Sequence, residues 1–274
     1  MEKNLKHSGT RSTEVCQREI DHAVFAREAA EEGIVLLKNE GLLPLKKDTK
    51  IALLGIGAEK TIKGGTGSGD VNNRESVSIY AGMKEKNAGI VSEEWLKDYH
   101  NRYEQARAEW KEQILEAAKH VDNPFDAYAA NPFAMPDGRA VTNEDIKAAE
   151  AAVYVISRIS GEGKDRRKRK GDYYLSDQEE KDLYFLNEQK IPTVLIINAG
   201  GPVELTDLLA GTENICAILN ISQLGQEGGN AVADILFGEF TPSGKLTTTW
   251  TKRYDDCPAA EEFSYLNGNL ETEE

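Results

Sequence analysis

The sequence predicts an α/β fold in which a mostly parallel sheet is covered by helices on both faces, a three-layer α/β/α sandwich. Short apolar runs alternate along the chain with longer segments whose apolar residues recur at helical spacing. This alternation is typical of parallel βαβ units. The runs are apolar at successive positions, as expected of strands that are buried on both faces. A chain of 274 residues can bury such a core without disulfide or metal cross-links.

The predicted elements follow each other in the order that βαβ units require. Apolar runs predict a short segment at residues 34–37, buried strands at 51–56, 153–159, 193–198 and 215–221, and a final extended segment at 246–250. Helical spacing predicts helices at residues 21–32, 77–86, 92–121, 142–152, 176–189, 203–209 and 226–237. Long loops are expected at residues 57–72, which are rich in glycine, and at 122–139, which contain three prolines. Three helix starts carry side chains that can accept hydrogen bonds from free backbone amides, namely Ser92, Thr142 with Asp145, and Ser176 with Glu179.

Composition excludes several classes of function. Lys and Arg total 33 and Asp and Glu total 47, and the resulting net charge of −14 argues against general nucleic-acid binding. Three scattered cysteines and four histidines without paired spacing predict neither a disulfide framework nor a metal site, and we expect no cofactor. No apolar run approaches the ~20 residues that cross a bilayer. Residues 1–12 lack the apolar region of a secretory signal, which predicts a cytoplasmic protein without membrane contact.

The domain organisation is simple. Residues 1–254 are predicted to form one α/β domain, and the polar, patternless residues 255–274 a linker or the start of a further module. Ligands of such sheets bind at the carboxyl ends of the strands. The loops that follow residues 51–56 and 153–159 are therefore the candidate ligand-binding loops.

The first of these loops is the glycine loop, residues 63–70 (KGGTGSGD). Its glycines allow close backbone approach to a ligand and positive φ angles. A phosphate-binding P-loop would need Gly-Lys-Ser/Thr, whereas Asp70 follows the last glycine here, and the third glycine of a dinucleotide-binding pattern is missing. Three interpretations stay open, namely a nucleotide-binding loop, a flexible turn, and a polar-ligand loop that offers backbone amides with Thr66, Ser68 and Asp70.

The second is the charged loop, residues 160–173. Its five consecutive basic residues, 166–170, favour a solvated loop over a nucleic-acid site because the chain as a whole is acidic. Glu162 lies between two glycines just beyond a predicted strand end. A carboxyl group in this position can swing into a site on a neighbouring domain, so Glu162 is a candidate catalytic residue.

Five stretches together resemble the α/β sandwich domain of glycoside hydrolase family 3, the family of β-glucosidases and β-N-acetylhexosaminidases. They occur in the family's order between residues 26 and 250, and they are residues 26–45 (AREAAEEGIVLLKNEGLLPL), 63–71 (KGGTGSGDV), 159–176 (ISGEGKDRRKRKGDYYLS), 194–203 (VLIINAGGPV) and 225–250 (GQEGGNAVADILFGEFTPSGKLTTTW). The resemblance implies the same fold that the periodicity predicts.

The resemblance also implies roles for residues of the two loops. In β-glucosidases of this family the glutamate of the SGEG-x-DR motif, here Glu162, is the general acid/base. In the N-acetylhexosaminidase branch a His–Asp pair does this work, so Glu162 favours the glucosidase branch. The glycine loop would lie beside the sugar, with Gly67, Ser68 and Asp70 as substrate-binding residues and Ser68 as the matching side-chain contact. Arg166 would be a fourth substrate-binding residue. Together with Asp165 it would also fix the shape of the charged loop.

One part of the family's machinery has no counterpart in the sequence. In the family a TIM-like barrel supplies an aspartate nucleophile, and this chain has neither an eightfold strand–helix series nor a Ser-Asp-Trp-type motif. Some members place the sandwich before the barrel, and a sandwich that follows Met1 directly is consistent with that order. The resemblance therefore implies an isolated sandwich domain that is inactive alone, whose partners are a (β/α) barrel and a β-glucoside or other small oligosaccharide. A carbohydrate-binding domain and a nucleotide-binding α/β protein remain as alternatives.

Overall fold

The computed structural model describes residues 13–159 and 166–257. Within these residues six strands form one sheet, and they are β1 Val35–Asn39, β2 Lys50–Leu54, β3 Gly89–Ile90, β4 Ala151–Arg158, β5 Thr193–Ala199 and β6 Ile215–Asn220. The strand order is β1-β6-β5-β4-β2-β3. The pairs formed by β2 to β6 are parallel, whereas β1 pairs antiparallel with β6 at one edge. The predicted, mostly parallel sheet is confirmed.

Helices of the described part connect and cover the strands. They are α1 Gln17–Gly33, α2 Ile56–Glu59, α3 Ile79–Glu85, α4 Glu93–Ala117, α5 Pro124–Ala130, α6 Asp177–Glu188, α7 Thr206–Gly211 and α8 Gly228–Leu236. The start of α6 confirms a predicted capping box. The hydroxyl of Ser176 accepts a hydrogen bond from the amide of Glu179 at 3.2 Å, and the Glu179 carboxylate accepts one from the Ser176 amide at 2.8 Å. Among the helices in this part of the chain, none combines the length and the apolar composition needed to cross a membrane.

The core lies on both faces of the two central strands. Every residue of β4 and of β5 is buried, which explains why their sequences are apolar at successive positions. Helix α8 is likewise buried along its whole length. It approaches α3 so closely that a Cβ atom on Gly229 would lie 2.0 Å from the carbonyl oxygen of Ser78.

The predicted helix at residues 142–152 is wrong. The Asp145 carboxylate accepts hydrogen bonds from the amide and the hydroxyl of Thr142 at 2.9 and 2.7 Å, as a helix cap would, but it also pairs with Arg139 at 2.6 Å. A series of turns follows instead of a helix, and Ala148 adopts a left-handed φ of 62°. The alanines at the end of this segment enter β4 and pair with β2, so sheet formation overrides their helical propensity.

Four other expectations need smaller corrections. The loop predicted at residues 122–139 contains helix α5, whose first turn begins with Pro124. The apolar run at 34–37 belongs to an edge strand, β1, and the segment at 246–250 bends and pairs with no strand of the described part. Ser92 precedes α4 as predicted but does not cap it, because its hydroxyl bonds the amide and carbonyl of Leu53 at 2.8 and 2.7 Å. The remaining predicted helices and strands are confirmed with shifted ends.

Candidate functional site

The strand order creates a crevice at the carboxyl edge of the sheet. From β2 the chain passes to β3 on one side and then to β4 on the other side, so β2 and β4 are neighbours that are not consecutive in the chain. In open α/β sheets ligands bind at such a change of direction, between the loops that follow the two strands. Here these are the glycine loop and the charged loop, the same two loops that the sequence singles out.

Two glycines allow the chain that leaves β2 to pass directly over β4. Gly55 has a φ of 85°, and a Cβ atom at this position would lie 2.4 Å from the carbonyl oxygen of Val155. A Cβ atom on Gly57 would lie 1.9 Å from the hydroxyl oxygen of Ser157. A side chain at either position would push the root of the glycine loop away from the end of β4.

The buried side chain of Asn198, near the end of β5, ties the glycine loop to the sheet. Its Oδ1 accepts hydrogen bonds from the amide of Ile62 at 2.7 Å and from the hydroxyl of Ser157 at 2.9 Å. Its Nδ2 donates to the carbonyl oxygens of Ile62 at 2.9 Å and Ser222 at 2.6 Å. All four hydrogen-bonding positions of the amide are therefore used. One side chain holds together the loop after β2, the end of β4 and the loop after β6.

The two ends of the glycine loop are also held by the segment that precedes α8. The amide of Gly225 donates to the carbonyl oxygen of Lys63 at 2.9 Å, and the Asn73 side chain bonds that of Gln226 at 3.2 Å. The ammonium group of Lys63 donates to the carbonyl oxygen of Val71 and closes the loop. The loop is thus fixed at both ends to one edge of the sheet.

The predicted substrate-binding residues of this loop lie in one turn. Residues Gly67–Gly69 form a single turn of 3-10 helix, with Gly67 at a φ of 72°, and the amide of Asp70 donates to the Gly67 carbonyl at 3.1 Å. Gly67 and Asp70 are exposed. The backbone of Ser68 belongs to this turn, whereas its side chain lies outside the described part. The turn therefore offers a carboxylate and backbone groups to solvent.

The predicted catalytic residue, Glu162, lies outside the described residues, as does Asp165. The residues on either side of this segment belong to the carboxyl edge, since Ile159 directly follows β4 and Arg166 bonds the chain beyond β5. The assignment of Glu162 as the acid/base stays a prediction.

Arg166 is held by the protein around it. Its guanidinium is only 15% exposed, pairs with the Asp172 carboxylate at 2.9 Å and donates to the carbonyl oxygen of Pro202 at 2.5 Å. Burial lowers the pKa of Arg166, and the ion pair with Asp172 opposes that shift. This arrangement fixes the charged loop against the end of β5. Contact between Arg166 and a substrate stays a prediction.

A second arginine fixes the same part of the loop. Arg158, the last residue of β4, forms a buried two-pronged ion pair with Glu179 at 2.6 and 2.7 Å. Its Nε donates to the carbonyl oxygen of Asp172 at 2.8 Å, and Arg166 donates to that same oxygen. The carbonyl of Asp172 is therefore held by two cations, one from the end of β4 and one from the middle of the charged loop.

Three side chains of the basic run at residues 166–170 pair with acids of this chain. Besides Arg166, Lys168 forms an ion pair with Asp255, and Lys170 lies 2.9 Å from the Glu180 carboxylate. Lys168 and Lys170 are also partly exposed, which agrees with the solvated loop favoured from the sequence. Among the described residues, no three His, Cys, Asp or Glu side chains group as the ligands of a metal ion.

Sequence reasoning did not single out Asn198, Asp172 or Gln226 as residues that shape the site. Asn198 carries a signal that was available, because it is the one amide in the otherwise apolar stretch 194–199 (VLIINA), at the end where ligands bind. Asp172 stands in the charged loop and Gln226 at the start of a predicted helix, and a polar residue at either position carries no signal that distinguishes it from a solvated one.

Comparison with known proteins places this arrangement in a family. A profile described as the Glycosyl hydrolase family 3 C-terminal domain matches residues 34–273. The chain belongs to glycosyl hydrolase family 3. The β-glucosidase-type resemblance and the α/β fold inferred from the sequence are both confirmed.

Individual relatives of this chain are named as β-glucosidases, which agrees with this assignment. Beta-glucosidase A of Butyrivibrio fibrisolvens is 31% identical over 265 residues, an alignment that covers 88% of this chain and 30% of that protein. Periplasmic beta-glucosidase of Salmonella typhimurium is 31% identical over 261 residues, covering 90% of this chain and 30% of the relative. The chain thus spans about a third of the length of these curated relatives.

Solved structures of β-glucosidases share the fold. The structure of beta-glucosidase 3B from Thermotoga neapolitana in complex with alpha-D-glucose superposes with a TM-score of 0.68 at 38% sequence identity, covering 88% of this chain and 32% of that one. A beta-glucosidase from Paenibacillus barengoltzii superposes with a TM-score of 0.67 at 29% identity, covering 88% of this chain and 25% of that chain.

Proposed function

We propose that this chain supplies the general acid/base half of a retaining β-glucosidase-like active site, which hydrolyses a β-glucoside or another small oligosaccharide. The observation that carries the proposal is the position of the two loops, which leave neighbouring strands at the change of direction of the sheet in a family 3 domain. Glu162 belongs to one of these loops, and the exposed turn Gly67–Gly69 to the other.

The proposed chemistry needs two carboxyl groups. In a retaining glycosidase they lie about 5–5.5 Å apart across the scissile bond, and one attacks the anomeric carbon while the other protonates the leaving oxygen. The second group then removes a proton from the water that hydrolyses the glycosyl-enzyme. Glu162 takes this second role, and Gly67, Ser68, Asp70 and Arg166 surround the sugar. No cofactor takes part in this scheme.

The first carboxyl group, the nucleophile, comes from a (β/α) barrel domain in our proposal. Two facts support this division of labour, namely the share of about a third that the chain occupies in its curated relatives and the absence of a barrel-like repeat from its sequence. The 274-residue chain alone therefore hydrolyses no aryl β-glucoside, because the glycosyl-enzyme cannot form.

The test compares Glu162→Ala with Glu188→Ala in the enzyme that combines this chain with its barrel. Glu188 is the matched control, an exposed glutamate of α6. We expect Glu162→Ala to reduce kcat by about 100-fold or more on a substrate with a poor leaving group, and azide to restore part of the rate on an activated substrate. Glu188→Ala should retain activity. Equal rates for the two variants, or no rescue by azide, would contradict the acid/base role.

Two binding measurements on the chain alone distinguish the alternatives. Calorimetry with glucose and cellobiose should show no tight binding, since most contacts to the sugar would come from the barrel. Micromolar binding would favour a stand-alone carbohydrate-binding domain. A rise in Tm with ATP or NAD would favour a nucleotide-binding protein.

A further inference from the structure

A short segment near the end of the described chain, the strap formed by residues 252–256, crosses the charged loop where that loop returns to the fold. The ring of Tyr254 lies 5.2 Å from the ring of Tyr173, at an interplanar angle of 87°. The ammonium group of Lys168 lies 4.7 Å from the centre of the Tyr254 ring. One aromatic side chain of the strap thus touches two residues of the loop that begins at residue 160.

The strap is itself fixed to the sheet through the chain that follows β5. The guanidinium of Arg253 pairs with Asp207 at 2.6 Å and with Glu204 at 3.1 Å. The amide of Tyr254 donates to the Glu204 carboxylate at 3.1 Å, while the amide of Glu204 donates to the carbonyl oxygen of Tyr173 at 3.0 Å. Glu204 therefore joins the strap and the charged loop to each other.

The strap contacts a part of the loop that two arginines also hold. Asp172, which precedes Tyr173, accepts hydrogen bonds at its carbonyl from both Arg158 and Arg166. The Tyr254 ring packs on the next residue, Tyr173. The position of this end of the loop therefore depends on Tyr254 as well as on the two arginines.

We propose that Tyr254 is a positioning residue for the general acid, because its ring holds the returning half of the loop that carries Glu162 against the carboxyl edge of the sheet. This inference rests on the proposed function. A general acid must lie within hydrogen-bond reach of the leaving oxygen, and a small displacement slows proton transfer. Loss of the ring contact lets the loop open locally, while the core of the domain keeps its stability.

The first test uses the 274-residue chain and measures hydrogen exchange. We expect Tyr254→Ala to speed exchange of the amides of Tyr173 and Glu204 by about fivefold to tenfold, with no change in β4 or β5. Tyr254→Phe keeps the ring and should restore the exchange rates of the unmodified chain. Tyr184→Ala removes a half-exposed tyrosine of α6 and serves as the matched control. Unchanged exchange in Tyr254→Ala, or the same effect in Tyr184→Ala, would overturn the inference.

The second test uses the enzyme that combines this chain with its barrel, and varies the leaving group. A dinitrophenolate departs without a proton, whereas an alkoxide needs one, so only a misplaced acid produces a difference between the two substrates. For Tyr254→Ala we expect kcat to fall about tenfold on an alkyl β-glucoside and less than about twofold in the glycosylation step of a dinitrophenyl β-glucoside. Tyr254→Phe should restore the alkyl glucoside rate.

Glu162→Ala, measured on the same substrates, separates the two proposals. If Glu162→Ala shows the leaving-group difference and Tyr254→Ala does not, the positioning role is wrong and the acid/base assignment stands. If Glu162→Ala shows no difference, the acid/base assignment is wrong, and the positioning role that depends on it is wrong as well.

Discussion

Asn198 and Ile62 exchange two hydrogen bonds at the carboxyl edge of the sheet, although 136 residues of sequence separate them. The Ile62 amide donates to Asn198 Oδ1, and Asn198 Nδ2 donates to the Ile62 carbonyl, so the side chain acts on the loop as a neighbouring strand would. Because the amide is fully buried and fully bonded, its loss would leave several backbone groups without partners.

Replacement of Asn198 by Ala should therefore lower the free energy of unfolding by about 2–4 kcal/mol. It should also speed hydrogen exchange over residues 62–71, because the glycine loop loses its tie to the sheet. Urea unfolding and exchange mass spectrometry measure the two effects.

Asn214→Ala is the matched control for this variant. Asn214 is also buried, and its Nδ2 bonds Ile191 and Thr193 at 2.9 and 3.0 Å, but it lies at the amino edge of the sheet. We expect a similar loss of stability without faster exchange in the glycine loop. The same exchange pattern in both variants would contradict the role assigned to Asn198.

A cluster of charges between α1, α3 and α8 predicts a pH dependence of stability. The nearly buried carboxyl groups of Glu31 and Asp234 interact with each other, and Asp234 also pairs with Arg27 and Lys86 at 2.6 Å each. Burial, followed by the contact with Asp234, raises the pKa of Glu31 to about 7. Hydrogen bonds from its partners hold the pKa of Asp234 below its usual value despite burial.

The sign of the pH dependence follows from the proton that the native state holds. Between the ordinary pKa of a glutamate, 4.5, and a pH of about 7, the native state binds a proton at Glu31 that the unfolded chain has released. Stability should therefore fall as pH rises through this window, by up to about 1.4 kcal/mol per pH unit from this group, and level off above it. Asp234 contributes in the opposite direction, but only in a lower window, below about pH 4.

Glu31→Gln tests this assignment, because glutamine resembles the protonated acid at every pH. We expect the variant to match the unmodified chain near pH 4.5 and to exceed its stability at pH 8. Urea unfolding at a series of pH values measures the difference, with Glu32→Gln, an exposed neighbour, as the control. Parallel pH profiles for Glu31→Gln and the unmodified chain would contradict the raised pKa of Glu31.

The buried ion pair between Arg158 and Glu179 predicts a large loss of stability when one partner is removed. Both side chains are about 5% exposed, so Glu179→Gln leaves a guanidinium without its anion inside the protein. We expect a loss of about 3–5 kcal/mol. Glu180→Gln, whose partner Lys170 is exposed, should change stability by less than about 1 kcal/mol. A loss below about 1 kcal/mol in Glu179→Gln would show that the pair of Arg158 and Glu179 is open to solvent.

The close approach of α3 and α8 gives a prediction about packing. Gly229→Ala would place a methyl group 2.0 Å from the Ser78 carbonyl oxygen, so the helices must separate, and we expect a loss of about 1–3 kcal/mol. Gly33→Ala is the control, since its Cβ would meet only a leucine methyl at 3.9 Å. Equal stability of the two variants, measured by urea unfolding, would contradict the packing described for α8.

Features that depend on local pattern can be predicted without the structure. The apolar runs of β4 and β5 predict strands because each strand must bury both faces, and Ser176 with Glu179 marks the start of α6 because their groups bond one another within a single turn. The two loops that follow β2 and β4 were recognised in the same way. Glu162 was assigned from a resemblance and stays a prediction.

Contacts between residues far apart in the chain became known from the folded structure alone. It placed β2 beside β4, joined Asn198 to Ile62, and turned the segment at 142–152 from an expected helix into turns that lead into a strand. The physical reason is that a hydrogen bond or a strand pairing between residues far apart depends on the path of the whole chain. Local propensity is a few tenths of a kilocalorie per residue, and burial in the sheet outweighs it.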